Sequence, residues 1–544
     1  MKHLLVRFVT SIENAPLTLG TFLVAFLGLI IARLTVESAI GLFPEHSLFF
    51  LFFEFTHTFL FFLSSYLIIL PLVSFAGSVS LKKAANVLLF GFLIILTPPM
   101  IDKLIFGKEH FWSFYEFDGL IGLFWRFLTL FGDSPNIGIT YGVRVEVVLV
   151  TLALGLYTYL KSKRIGRALL VALLTYTALF ILGTFPSWIT LVVLAFEKNL
   201  LAIGSSDVAA IFLSPEQVLG RNLTDFRSVL NFKMSIVYAL LASALSALLL
   251  YRQFPPYFLA LRKNARVPQL LYHAGLLFLG LLLASIFAEG VIEWELFHVL
   301  GVLILLLAVL CAWLASVVAN DIYDTAIDTI TNPKRPLIEG TISPPLYMTF
   351  GALFFATSLL LSGIVSFSAS LILLAYQALA WLYSAPPLRL KKYPVLATAT
   401  AAFAGILVLI AGFVAIASDH SVSLLPIPLV SYLFFAYVLI LPLKDFKDIE
   451  GDKKDHIYTL PVLLGEARGK QVIGSLMFFF FAMSPLVLNM RTLFLPAIFF
   501  GALAFFVLEK SNASKSSFFS FQKLPGLILV LASLYALVII FFLH

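Results

Sequence analysis

The chain has 544 residues, 61% of them hydrophobic and only 12% charged. A soluble globular domain carries roughly 25% charged residues, so a water-soluble enzyme is excluded, and the mean hydropathy of +1.03 places the chain among polytopic membrane proteins. The net charge of +7 does not point to nucleic acid, because Lys and Arg fall in short stretches between apolar runs, where they set topology. The lone Cys311 rules out a disulfide framework within one chain and reads as a small packing residue.

The N-terminal stretch does not read as a signal peptide. Glu13 and Asn14 interrupt its first apolar run and no small-residue cleavage site follows. The run from Leu17 is predicted to be a retained span. Spans need roughly 20 apolar residues, which predicts six at 17–36, 48–75, 85–101, 145–160, 168–195 and 234–251. A second series of nine follows at 270–289, 296–319, 345–364, 368–385, 395–417, 424–443, 471–489, 492–508 and 525–543. The basic Pro-containing stretch at 251–268 separates the two series, so the expected domains are 1–260 and 261–544.

Loop charge supports this count. Lys2, Arg7, Lys82, Lys83, the run "KSKRIGR" at 161–167, and Arg252, Arg262, Lys263 and Arg266 fall on one face. So do Lys334, Arg335, "RLKK" at 389–392, the stretch 444–454, and Lys510, Lys515 and Lys523. The positive-inside rule makes that face, and the N-terminus with it, cytoplasmic, with the cell (plasma) membrane as the expected location. The stretch 102–144 departs from the pattern, with Lys103, Lys108, Arg126 and Arg144 in one long loop. Its aromatic segment "KEHFWSFYEFDGLIGLFWRF" reads as an interfacial helix.

Ionisable residues inside apolar runs are functional candidates. Glu54 and His57, three residues apart, share one helix face near the outer interface. Asp133, Arg144 and Glu146 belong to no recognised motif, and "NLT" at 222–224 is a chance glycosylation match. The role of this N-terminal half is open between lipid binding or delivery, a second catalytic or transport domain, and a scaffold.

Two acidic stretches carry the chemistry. Asp321, Asp324 and Asp328 stand at D-x-x-D-x-x-x-D spacing just after a span, and Asp445, Asp448 and Asp452 repeat that spacing after another. Helical steps of three and four place such carboxylates on one face, where they repel unless a cation sits between them. Mg²⁺ is the cation suited to carboxylates, water and substrate phosphate. Lys334, Arg335, Arg389, Lys391 and Lys444 are placed to take residual phosphate charge, a role that competes with setting topology. Asn320 supplies an amide at the span end. Tyr383 is a phosphate or acceptor hydrogen-bonding candidate as well as a packing residue, and His456 reads as a loop residue.

These residues resemble the UbiA superfamily of intramembrane prenyltransferases. Asn320, Asp321, Asp324 and Asp328 match its N-D-x-x-D-x-x-x-D signature, and "NPKRPLIEG" is similar to the segment that follows in several branches. Asp445, Asp448, Gly451 and Asp452 with "TLPVLLG" match its second signature, and "LYSAPPLRLKKYP" is similar to its intervening loop. The resemblance covers about 270–544 and implies nine spans, with the aspartates after the second and sixth. The expected fold is therefore an all-α polytopic membrane protein of about 15 transmembrane helices, a nine-helix UbiA-like bundle preceded by a six-helix membrane domain.

The resemblance implies Mg²⁺-dependent transfer of an isoprenyl group from an allylic prenyl diphosphate to a hydrophobic acceptor, quinone-type or lipid-linked. Asp321, Asp324, Asp328, Asp448 and Asp452 are then the metal ligands, with Asp324 and Asp448 also catalytic. Asn320, Asp445, Lys334, Arg335, Tyr383, Arg389, Lys391 and Lys444 are the substrate-binding candidates. Membrane lipid is the expected surroundings, and no protein partner is indicated. Two alternatives stay open: a transporter whose acids line an ion path, and a membrane terpene cyclase on the same scaffold.

Overall fold

A computed structural model describes residues 2–40, 48–107, 115–132, 138–214, 216–219, 221–223, 225–288, 294–417, 421–454, 458–514 and 516–543. It holds 15 helices long and apolar enough to cross a membrane, and the protein is an integral, multi-pass one. Large apolar side chains such as Leu152, Leu169, Leu371 and Leu495 are exposed on these helices, as lipid-facing surfaces require. The chain divides into two compact units, Met1–Phe258 and Leu259–His544.

In the first unit, Thr18 starts the first span, Leu19–Ala39, with a reciprocal cap: its hydroxyl accepts from Thr21 N–H and its own N–H donates to Thr21 Oγ1. The second span ends at Gly77. The third, Leu81–Ile105, is not a regular helix. It tightens to a 3-10 turn at Phe92–Leu96 and restarts at Thr97, ahead of Pro98 and Pro99. Proline lacks the N–H that a continuous helix needs at those positions.

The same chemistry corrects the expected span 168–195. Helix Ile165–Gly183 stops, and a separate helix, Phe185–Leu194, begins with Pro186 in its first turn. The fourth and sixth spans are Tyr141–Ser162 and Phe226–Gln253. One departure from an all-helical fold is a short antiparallel strand pair, Glu216–Val218 with Arg221–Leu223. Phe26, Ile30, Tyr66, Ile69, Val73, Ile95 and Val171 form a buried hydrophobic cluster in this unit.

The ends of the expected loop 102–144 belong to the third and fourth spans, and between them lies a helix at Leu120–Leu128. Its Arg126 ties the segment together, pairing with Glu116 Oε1 and Asp118 Oδ2 at 2.6 Å each. Arg144 donates to the backbone carbonyls of Phe131 and Ile139. Asp133 lies outside the described residues.

The second unit carries the remaining nine spans. They are Val267–Phe287, Leu296–Tyr323, Pro344–Val365, Phe367–Ser384, Val395–Ile416, Ile427–Lys447, Glu466–Val487, Arg491–Glu509 and Leu524–Phe542. The first and fifth of these meet backbone to backbone. A Cβ on Gly280 would lie 1.9 Å from Leu409 O, and one on Gly412 would lie 2.2 Å from Leu277 O. Small residues permit this approach, which substitutes close packing for the hydrophobic drive that lipid does not provide. The later spans close on Leu443, Phe446, Met477, Phe481, Leu493 and Tyr535.

Candidate functional site

The first acidic motif straddles the end of Leu296–Tyr323. Asp321 is in the last helical turn, but Asp324 leaves the helix at φ −105°, ψ 9° and starts a second short helix, Thr325–Thr331. The three carboxylates therefore do not stack along one continuous helix. Each is drawn instead to its own cations.

Asp321 is buried, its side chain only 1% exposed, and both oxygens are fully engaged. Oδ1 accepts from Arg266 Nη2 and Arg335 Nη1 at 2.7 Å each, and Oδ2 from Asn264 Nδ2 at 2.5 Å and the Tyr347 hydroxyl at 2.9 Å. Asn264 also donates to the Tyr347 oxygen at 2.8 Å. A carboxylate has about four acceptor sites, and Asp321 uses all of them.

Asp324 meets the loop that follows Ser384. Its Oδ1 accepts from Arg389 Nη2 at 2.9 Å and from Lys391 Nζ, while no donor among the described residues reaches Oδ2. Arg389 stands at φ 40°, a left-handed conformation that turns the chain so that both cations face the span end. Asp328 accepts from Asn332 Nδ2 at 3.2 Å and from Arg335 Nη1, so Arg335 bridges Asp321 and Asp328. Asn320 Oδ1 lies 3.4 Å from Ser384 Oγ and 3.5 Å from Lys391 Nζ.

Outside the spans, burial shifts the charges of this cluster. Desolvation raises the Asp328 carboxyl against the lowering pull of Arg335. Desolvation lowers the Lys391 ammonium against the raising influence of Asp324. The Arg266 guanidinium is lowered by the same cause, opposed by Asp321. In each case the ion pair is what offsets the cost of removing charge from water.

Of the other sequence candidates, Lys334 is exposed and Tyr383 is half-buried in the last turn of its span. The second motif lies on a 3-10 turn, Leu441–Asp448, followed by helix Ile449–Lys454. Asp445 is half-buried there, whereas the side chains of Lys444, Asp448 and Asp452 lie outside the described residues, as does His456. No group of three acidic, His or Cys side chains converges on one metal position among the described residues.

The structure adds residues that spacing did not single out. Arg266 reads in the sequence as a topology residue, and Asn264 and Tyr347 carry no motif at all; folding brings all three to Asp321. Deeper in the same unit, the Tyr376 hydroxyl meets His273 Nε2 at 2.9 Å, and His273 Nδ1 meets Gln269 O at 2.7 Å. Trp313 lies 4.8 Å from the His273 ring, and Tyr437 lies 5.0 Å from Tyr272. The Tyr272 hydroxyl and both amide atoms of Gln377 are buried without a hydrogen-bond partner among the described residues. These aromatic and polar groups face one another among apolar spans, where no sequence signal separates them from packing residues.

A membrane-embedded helical bundle with acids, amides and guanidiniums gathered at one span end defines a class of intramembrane enzyme fold, and the comparisons identify it. The UbiA prenyltransferase family pattern matches residues 276–524. Digeranylgeranylglyceryl phosphate synthase of Methanococcoides burtonii is 30% identical over 220 residues, 38% of this chain and 76% of that protein. The chain belongs to the UbiA prenyltransferase family.

The enzyme of the same name from Methanoregula boonei is 32% identical over 187 residues, 34% of this chain and 63% of its own length. A probable homogentisate phytyltransferase 2 of Oryza sativa is 32% identical over 183 residues, 31% of this chain and 46% of that protein. A UbiA homolog from Archaeoglobus fulgidus, solved with DMAPP and Mg²⁺, aligns with 50% of this chain and 95% of that one at 19% identity and a TM-score of 0.40.

Proposed function

We propose that the second unit, with the domain taken as 261–544, transfers an isoprenyl group from an allylic prenyl diphosphate to a lipid-linked hydroxyl acceptor in the membrane. The observation that carries this reading is the convergence of Arg389 and Lys391 on Asp324, beside Arg335 on Asp321 and Asp328. It is an array of alternating charge that a metal–diphosphate pair can enter by exchanging partners.

The donor set fits Mg²⁺, which takes a few carboxylates together with substrate phosphate. Asp324 has a free oxygen, and Asp328 keeps acceptor capacity beyond its two donors. Asp448 and Asp452 would complete the set. Asp321, already saturated, supports the site by holding Arg335 and Arg266 in place. Bound Mg²⁺ supplies charge to stabilise the departing diphosphate.

Arg335, Arg389 and Lys391 would bind the remaining phosphate oxygens once the carboxylates turn to the metal, and Lys334, Lys444, Asn320, Asp445 and Tyr383 are the further substrate-binding candidates. The allylic C–O bond breaks with its electron pair going to diphosphate. The acceptor oxygen forms the new C–O bond and releases its proton. Apolar spans exclude water from the allylic carbon, and aromatic faces such as Trp313 and Tyr376 suit its cationic character.

The relatives that act in digeranylgeranylglyceryl phosphate synthesis support a lipid-linked acceptor; the rice relative supports an aromatic one as the second reading. The acidic motifs are assigned to the cytoplasmic face of the cell membrane. The test is a radiolabelled prenyl diphosphate assay on purified protein with Mg²⁺, with chelator, and with Asp324→Ala and Asp448→Ala. Product formation lost with chelator and in both variants supports the reading, and full turnover in both variants overturns it. Mass analysis of the product separates a lipid ether from a prenylated aromatic ring, and a cyclised hydrocarbon formed without acceptor would establish the cyclase alternative instead.

A further inference from the structure

All six spans of the first unit contribute to one cavity of ≈270 Å³, close to the lower end of small-molecule pockets. Phe61, Phe62, Tyr66, Ile69, Leu88 and Phe92 give it apolar walls. Its other wall is polar and charged. Four carboxylates line it, from Glu37, Glu54, Asp102 and Glu146, against two guanidiniums, from Arg33 and Arg227.

The pairing is incomplete by construction. Arg33 donates to Glu37 Oε1 at 3.0 Å and to Ile95 O at 3.1 Å, and stands 3.9 Å from Glu146 Oε2. Glu54 Oε2 accepts from Arg227 Nε at 3.2 Å and from Asn231 Nδ2 at 2.6 Å. Asp102 Oδ1 accepts from Gly142 N–H at 2.7 Å. The His57 ring and the Tyr115 hydroxyl satisfy each other at 2.5 Å.

Asn231, 1% exposed, donates from Nδ2 to Glu54, and its Oδ1 has no hydrogen-bond partner among the described residues. A buried acceptor left open is costly, and charged groups at membrane depth are rarely kept without a use. A network that served only to fasten helices would match its charges. This one leaves acceptors in excess, across the cavity from its apolar wall.

We propose that this cavity is a binding site for an amphiphile with a hydrocarbon chain and a head rich in hydrogen-bond donors and free of negative charge, either hydroxylated or an ammonium. The chain lies along the aromatic and aliphatic wall, and the head donates to Asn231 Oδ1 and to the surplus carboxylate oxygens. An anionic head is rejected, because it would face the carboxyl groups of Glu37, Glu54, Asp102 and Glu146.

The experiment is photo-crosslinking of the full-length protein in nanodiscs. Three diazirine-bearing probes share one oleyl-length chain and end in glycerol, in an amine and in a carboxylate. Labelling of peptides from 57–69 and 143–154 by the glycerol or amine probe is expected, with the better of the two naming the head, and labelling by the carboxylate probe at least tenfold lower. Asn231→Leu, which removes the open acceptor, and Val150→Trp, which fills the chamber, are each expected to reduce the labelling at least tenfold.

Monodispersity and thermal midpoint establish that each variant folds, and the probe ranking in the unaltered protein does not depend on the variants. Equal labelling by all three probes, no labelling of these peptides, or unchanged labelling in a folded Val150→Trp variant would overturn the proposal. Prenyl transfer is not part of the readout.

Discussion

Arg335 Nη1 donates to Asp321 Oδ1 at 2.7 Å, and the pair is nearly dry, with the two side chains 17% and 1% exposed. The bond closes the loop between the second and third spans of the second unit onto the end of the helix it follows. Because the same guanidinium also reaches Asp328, Asp321 fixes the position of a cation that the outer carboxylates share.

That relationship separates the acids by role. Replacing Asp321 with Asn leaves two guanidiniums facing a neutral amide in a poorly solvated place, which costs about 3 kcal/mol. Asp324→Asn touches a more accessible group with one oxygen unpaired, so its fold is expected to survive nearly intact while turnover is lost. Thermal midpoints in detergent, measured beside prenyl transfer, check the contrast. Equal melting of the two variants would contradict it.

Tyr347 is the neutral member of the Asp321 cluster. Tyr347→Phe removes one donor to Asp321 and one acceptor for Asn264 while keeping the ring. The expected destabilisation is about 1–2 kcal/mol, read as a lowered unfolding midpoint with the dependence of activity on Mg²⁺ concentration unchanged.

Lys391 and Arg389 are expected to bind diphosphate. Lys391→Ala should raise the KM for prenyl diphosphate about tenfold, equivalent to ~1.4 kcal/mol, and Lys391→Arg should recover part of it. Arg389→Lys should not restore a forked contact, because an ammonium is a point charge. Steady-state kinetics with varied prenyl diphosphate test both, and an unchanged KM in Lys391→Ala would remove it from the binding set.

Gly280 and Gly412 hold the first and fifth spans of the second unit at backbone contact. Gly280→Ala places a methyl where Leu409 O already sits. The helices must separate, at an expected cost of about 1–3 kcal/mol, seen as a lowered thermal midpoint. Gly275→Ala, with open space beside it, is the control expected to melt like the parent.

Much of the architecture was legible beforehand, and the exceptions have identifiable causes. Each of the fifteen expected spans overlaps a helix long enough to cross a membrane, because about 20 apolar residues are a local property that needs no partner. The expected span 168–195 divides at Gly183 because Pro186 starts a new helix, a local signal outweighed in the hydropathy pattern by the apolar residues on both sides. The motif around Asp324 was legible as chemistry, but not as geometry: the spacing implies a continuous acidic face, and the structure breaks the helix at Asp324 so that each carboxylate meets a cation. Glu54 and His57 were legible as a pair on one face, yet their partners, Arg227 with Asn231 and Tyr115, lie far along the chain.

Sequence alone determined the number of spans, the acidic motifs and the family they resemble, since hydropathy and motif spacing are written in consecutive residues. Tertiary structure alone decided that Asp321 is saturated while Asp324 is open, that Arg266 and Tyr347 meet Asp321, and that six separate spans line a cavity with an unspent acceptor at Asn231. The reason is the reach of the interactions. Apolar transfer is summed residue by residue, whereas hydrogen bonds and ion pairs act over about 3 Å and depend on which distant segments the fold brings within that distance.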